Sequence, residues 1–176
     1  FKKYRQEIAY MFQDPIGSLS PRMKVLSLLI EPFKIHNVSR SDYKKEAIHL
    51  LSLVGLKPEF LDRYPHELSG GQARRIGVAR AMALGPKLIV ADEPTAGLDV
   101  SIQGEVLNLL AEVQDKTGVA ILLITHNLNV VRHISDRVSI MYMGSFLEVD
   151  ETEKIFKSQQ NEYTRKLIAA NSHPVL

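Results

Sequence analysis

The run Leu88-Ile89-Val90-Ala91 is apolar without alternation and stops abruptly at Asp92-Glu93-Pro94. A short strand with two apolar faces must be covered on both, which is the situation of a strand inside a parallel sheet flanked by helices. Val119 to Thr125 repeats the pattern and ends in Thr125-His126. Ile8-Ala9-Tyr10-Met11-Phe12 gives a further short strand, stopped by Gln13-Asp14-Pro15. Between the two buried runs, Ile102, Val106, Leu109, Leu110 and Val113 share one helical face, with Gly118 as the stop. Leu128 to Ile134 reads as a short helix and Val138 to Met143 as another apolar strand, followed by a Gly144-Ser145 turn into Phe146 to Val149. This alternation predicts an α/β chain built on a parallel sheet with helices on its faces.

Residues 16 to 80 read differently, as a largely helical lobe of their own. Ser41 is a suitable N-cap for a helix with Ala47, Leu50, Leu51 and Val54 on one stripe and Gly55 closing it. Pro32 should end or kink any helix in the apolar stretch Val25 to Ile35. Leu68-Ser69-Gly70-Gly71-Gln72 opens a segment, Ala73 to Ala83, rich in helix formers.

Composition removes several function classes. With 22 basic and 20 acidic side chains, the net charge of +2 offers no general attraction for nucleic acid, and Arg74-Arg75 reads as a solvated or interface pair. The absence of cysteine excludes disulfides, thiolate metal sites and cysteine nucleophiles. The longest apolar run, Val119 to Ile124, is far short of the roughly 20 residues that span a bilayer. The chain opens at Phe1 with no charged region before an apolar core, so no secretion signal is expected and the chain is expected to begin inside a longer protein.

In sheets of this kind ligands bind beyond the carboxyl ends of the strands. Gln13, Asp92-Glu93 and Thr125-His126 all fall there, so polar groups distant in sequence converge on one edge. A strand ending in two carboxylates suits a magnesium-nucleotide hydrolase: Asp92 to hold the metal and Glu93 to deprotonate an attacking water. The competing reading is that either carboxylate merely caps the following helix. Ser69-Gly70-Gly71-Gln72 reads as an anion-binding loop at a helix N-terminus, against the alternative of an ordinary turn and cap.

Together these segments resemble a known family. Leu68-Ser69-Gly70-Gly71-Gln72, Asp92-Glu93-Pro94-Thr95, Ala96-Gly97-Leu98-Asp99 and Ile124-Thr125-His126 resemble, in order, the signature, Walker B, D-loop and H-loop of the ATP-binding cassette (ABC) ATPases, and Gln13 resembles their Q-loop glutamine. Within the family, Ser18-Leu19-Ser20-Pro21-Arg22, Asp99-Val100-Ser101-Ile102-Gln103 and Tyr163-Thr164-Arg165-Lys166-Leu167 resemble the oligopeptide, dipeptide and nickel importer ATPases, although Asn161-Glu162 replaces their usual His-Pro pair. The resemblance implies a RecA-like P-loop NTPase fold divided as follows: 1–15, the end of a core strand and the Q-loop; 16–83, a helical signature subdomain; 84–145, the ATPase core; and 146–176, a C-terminal extension.

It also implies ATP and Mg2+ as cofactors, Glu93 as general base, His126 as the sensor of the γ-phosphate, and Asp92 and Gln13 at the metal. Ser69, Gly70, Gly71 and Gln72 would meet the nucleotide held by a second ABC subunit, identical or not, with Asp99 at that interface. Integral membrane permease subunits, and through them an extracytoplasmic solute-binding protein, would complete an importer at the cytoplasmic face of the membrane. Peptides would be its substrate class.

One part of the family pattern is missing. The P-loop, G-x-x-x-x-G-K-[ST], occurs nowhere in the chain, and no glycine precedes Gly17. The expectation is a truncated cassette, its N-terminal region lost, that binds no ATP tightly, is inactive alone and exposes apolar sheet edges that lower its solubility. The alternatives are a non-hydrolysing cassette that donates its signature to a partner's ATP, and a soluble non-transport ABC ATPase.

Overall fold

The computed structural model describes residues 4–11, 17 and 19–171. The elements run α1 (Tyr4–Glu7), β1 (Ile8–Met11), α2 (Val25–Ile35), α3 (Tyr43–Leu53), two 3₁₀ turns (Pro58–Asp62 and Pro65–Glu67), α4 (Gly70–Met82), β2 (Leu88–Asp92) and α5 (Val100–Thr117). They continue as β3 (Ala120–Ile124), α6 (Leu128–Ile134), β4 (Arg137–Tyr142), β5 (Ser145–Glu151), α7 (Thr152–Lys157) and α8 (Glu162–Asn171). The chain divides into two compact units, Phe1–Ile124 and Thr125–Leu176.

In the first unit β1, β2 and β3 form a parallel sheet in that order, with Met11 level with Ala91 and Asp92 level with Ile124. All three strands therefore end at the same edge. Ile89 and Ala91 are fully buried while Leu88 and Val90 are only half-buried, so one face of β2 is covered completely and the other in part. One continuous core joins the sheet to the helices: Phe33 of α2, Leu51 of α3, Ile76 of α4, Ile89 of β2 and Val113 of α5 have no exposed surface. Gly118 ends α5 at φ 70°, a left-handed turn that a side chain would strain.

Several expectations are corrected here. Pro32 lies inside α2, which runs on to Ile35; with only its last turn beyond the proline, the helix loses one hydrogen bond at its end. The N-cap of α3 is Asp42, not Ser41, because its carboxylate accepts from the N–H groups of Lys44 and Lys45 at 2.9 and 3.0 Å. Arg75 is not a freely solvated cation: its Nη1 donates to the Val54 carbonyl at 2.7 Å, closing the C-terminus of α3. β3 is not buried. Leu122 and Ile124 are 51% and 45% exposed, because they share with Ile8 and Tyr10 the sheet face that the described residues cover least.

In the second unit β4 and β5 form an antiparallel hairpin rather than joining the parallel sheet. Val138 and Ile140 of β4 pack with Ile155 of α7 and with Tyr163 and Leu167 of α8. Among the described residues no helix is long and apolar enough to cross a membrane.

Candidate functional site

The signature-like segment is built almost wholly from its own hydrogen bonds. Ser69 Oγ accepts from the Gln72 N–H at 3.2 Å, and Gln72 Oε1 accepts from the Ser69 N–H at 3.0 Å, a reciprocal capping box that opens α4. Used as an acceptor, the Ser69 hydroxyl keeps its own proton to donate, and the Gln72 amide keeps its NH2 group. The N–H groups of Gly70 and Gly71, in the first turn of α4, have no intrahelical acceptor. The arrangement thus presents donors at the positive end of a helix, as an anion site requires.

The two glycines serve no need of this chain. Neither has positive φ. A Cβ added at Gly70 or Gly71 would meet its nearest atom at 3.7 or 3.8 Å, ordinary contact. Neither backbone conformation nor crowding therefore requires glycine at these first two positions of α4.

The β2 end is built from partners far away in sequence. Asp92 is the last residue of β2 and half-buried; its Oδ2 accepts from the Tyr10 hydroxyl at 2.8 Å, across 82 residues of sequence. Its other oxygen has no protein partner among the described residues. Glu93 follows at φ 47°, a left-handed conformation that costs a non-glycine residue on the order of 1–3 kcal/mol. The Glu93 N–H donates to the Ile124 carbonyl at 2.9 Å, and its carbonyl accepts from Ala96 at 3.1 Å. Glu93 therefore leaves the sheet through a strained turn held at both ends, and Pro94 and Thr95 behind it are buried.

Neither Asp92 nor Glu93 caps α5, so that competing reading of the carboxylates fails. The cap is Asp99, whose carboxylate accepts from the Ile102 N–H at 3.0 Å. In the second unit His126 is exposed, just before Asn127, whose side chain caps α6 through the N–H groups of Asn129 and Val130. Gln13 lies outside the described residues.

A magnesium ion fits what is present. Among the described residues no cluster of three or more His, Asp or Glu side chains could enclose a metal. Asp92 instead keeps one carboxylate oxygen without a protein partner among the described residues, a donor of the kind that takes a magnesium ion together with phosphate and water. Sequence reasoning missed Tyr10, since only the strand register brings it to Asp92.

A parallel sheet ending in paired carboxylates, together with a glycine-rich helix start, defines a P-loop-type nucleotide-binding class. The model of the family described as ABC transporter matches residues 1–96. The chain is 46% identical to the oligopeptide transport ATP-binding protein AppF of Bacillus subtilis, over 96% of this chain and 52% of that protein. It is 43% identical to the oligopeptide transport ATP-binding protein OppF of Haemophilus influenzae, over 97% of this chain and 52% of that one. It is 48% identical to the glutathione import ATP-binding protein GsiA of Pectobacterium atrosepticum, over 94% of this chain and 27% of that protein. The chain belongs to the ABC transporter ATPase family, and it spans about half or less of the length of these curated relatives.

Proposed function

We propose that the complete protein is the ATP-binding and ATP-hydrolysing subunit of an ABC importer for peptides, acting at the cytoplasmic face of the membrane. Two relatives are named for oligopeptide transport and one for glutathione import, all peptidic solutes. The reading assigns 16–83 to a helical signature subdomain, 84–145 to the ATPase core and 146–176 to an importer-specific extension. The observation that carries it is the glycine pair of Ser69–Gln72: first-turn donors without an intrahelical acceptor, at two residues whose conformation and surroundings do not require glycine.

On this reading Ser69, Gly70, Gly71 and Gln72 donate to the γ-phosphate of a nucleotide held by a second ABC subunit. Asp99 lies at that junction, and permease subunits take up the closing motion. Bound Mg2+ supplies charge neutralisation of the phosphates. Asp92 holds the metal with Gln13 beside it, Glu93 accepts the proton of the attacking water, and His126 reads the γ-phosphate. The segment 1–176, without a P-loop lysine or its amide cradle, is inactive alone.

The test is Gly71→Ala in the complete protein. Alanine fits the helix, so thermal stability stays equal or rises, by up to about 1 kcal/mol. ATP turnover falls by at least roughly tenfold, because the methyl adds bulk beside the first amides of α4, which on this reading a phosphate approaches closely. Unchanged turnover overturns the reading.

A further inference from the structure

We propose that Tyr10 is a positioning residue for the metal-binding carboxylate of Asp92, its hydroxyl fixing which carboxylate oxygen faces the metal. The inference rests on the reading of Asp92 given above. Tyr10 pairs with Val90 in the β1–β2 register, and Asp92 lies two residues further along β2, on the same face. A side chain as long as tyrosine reaches that diagonal position, and its hydroxyl meets Oδ2 at 2.8 Å.

A carboxylate at a strand end can turn about its last bond and offer either oxygen. The Tyr10 hydrogen bond occupies Oδ2 and leaves Oδ1 without a protein partner among the described residues. A carboxylate oxygen can only accept, so in this pair the Tyr10 hydroxyl is the donor. Hydrogen-bond partners of metal ligands set ligand orientation in this way, and their loss weakens the metal. Tyr10 sits on β1, immediately before the segment of Gln13. Any shift of β1 against β2 therefore changes the aim of Asp92.

The experiment measures Mn2+ binding by electron paramagnetic resonance in the complete protein with ADP, for wild type, Tyr10→Phe and Asp92→Asn. Tyr10→Phe removes one hydroxyl and keeps the ring. It should weaken Mn2+ by about fivefold, below the usual range for such partners because Tyr10 is half exposed. ADP binding in chelator and the unfolding temperature without metal should not change. In the Asp92→Asn background, Tyr10→Phe should have no further effect. Weakened Mn2+ in Asp92→Asn with Tyr10→Phe within twofold of wild type overturns the Tyr10 assignment alone. An equal loss of ADP affinity in chelator also overturns it, since that marks a general distortion. Unchanged Mn2+ in Asp92→Asn overturns the metal reading and this inference with it.

Discussion

The α4 start and the β2 end carry the two halves of the proposed chemistry and are built in opposite ways. Ser69–Gln72 closes on itself through hydrogen bonds three residues apart, so its donors are aimed by local geometry alone. The β2 end depends on Tyr10, 82 residues away from Asp92, and on the Ile124 carbonyl of the next strand. A locally capped helix start can be carried as a rigid unit toward a nucleotide held elsewhere. A carboxylate pair hung between strands instead keeps its geometry only while the sheet keeps its register. Such a division suits a phosphate sensor on one side and a proton acceptor on the other.

The largest test of that division is Glu93→Gln in the complete protein. The amide keeps the length of the side chain and the strained backbone but cannot accept the water's proton. Turnover should fall by roughly 10² to 10⁴, about 3 to 5.5 kcal/mol, with ATP binding retained. Single-turnover hydrolysis beside equilibrium ATP binding checks this, and unchanged turnover removes Glu93 from the chemistry.

Next in size is a pair of stability changes with opposite signs. Glu93→Gly relieves the left-handed strain at φ 47° and should stabilise the fold by up to about 1 kcal/mol, net of glycine's greater freedom when unfolded. Ser69→Ala removes the acceptor of the capping box and should destabilise it by about 1 kcal/mol. Urea unfolding of both variants measures the contrast. If Glu93→Gly destabilises, the β2 end is not strained; if Ser69→Ala is neutral, the α4 start is not held by its own cap.

What the sequence disclosed follows the same division. Features closed within a few residues were legible, such as the stripe of α5 with its Gly118 stop and the extent of α6, whereas Gly70–Gln72, read as a loop ahead of a helix from Ala73, form the first turn of α4 itself. The cap of α3 was misplaced by one residue because Ser41 and Asp42 are both good caps. Nothing local reveals that the carboxylate takes two N–H groups. The apolar run of β3 promised burial, yet a run of apolar residues does not state what lies against it, and Leu122 and Ile124 stand on the sheet face that they share with the exposed Ile8 and Tyr10. Asp92 and Glu93 were found by residue type and position. Tyr10 was invisible, because its role exists only once two strands are in register.

The helix start of α8 gives the smallest and sharpest test, since it joins the two ways of building, a local cap and a distant carboxylate. Its first turn is capped locally by Asn161, whose Oδ1 accepts from the Tyr163 N–H at 2.8 Å, while Glu148 of β5 accepts from the N–H groups of Gln160 and Asn161, just ahead of the helix, at 2.8 and 3.3 Å. Partial burial works to raise the pKa of this carboxyl, but the two amides and the nearby Thr164 hydroxyl outweigh it and hold it below the ordinary 4.5. A carboxylate depressed in the folded state stabilises above its unfolded value and loses that contribution as pH falls through the folded one. The Glu148 share is therefore fully present above about pH 4.5 and disappears below it. Asp150 and Glu153 titrate in the same window, held down mainly by hydrogen bonds from Lys154 and Lys157, so wild type alone cannot isolate Glu148. Glu148→Gln should cost under about 1 kcal/mol near neutral pH, given the solvent around the group, and the difference from wild type should shrink as the pH falls. Urea unfolding of the two proteins at neutral and acid pH reads that difference directly. A difference that stays constant with pH means that the Glu148 charge gives α8 nothing beyond its local Asn161 cap, and that a distant partner matters at β2 for a reason α8 does not share.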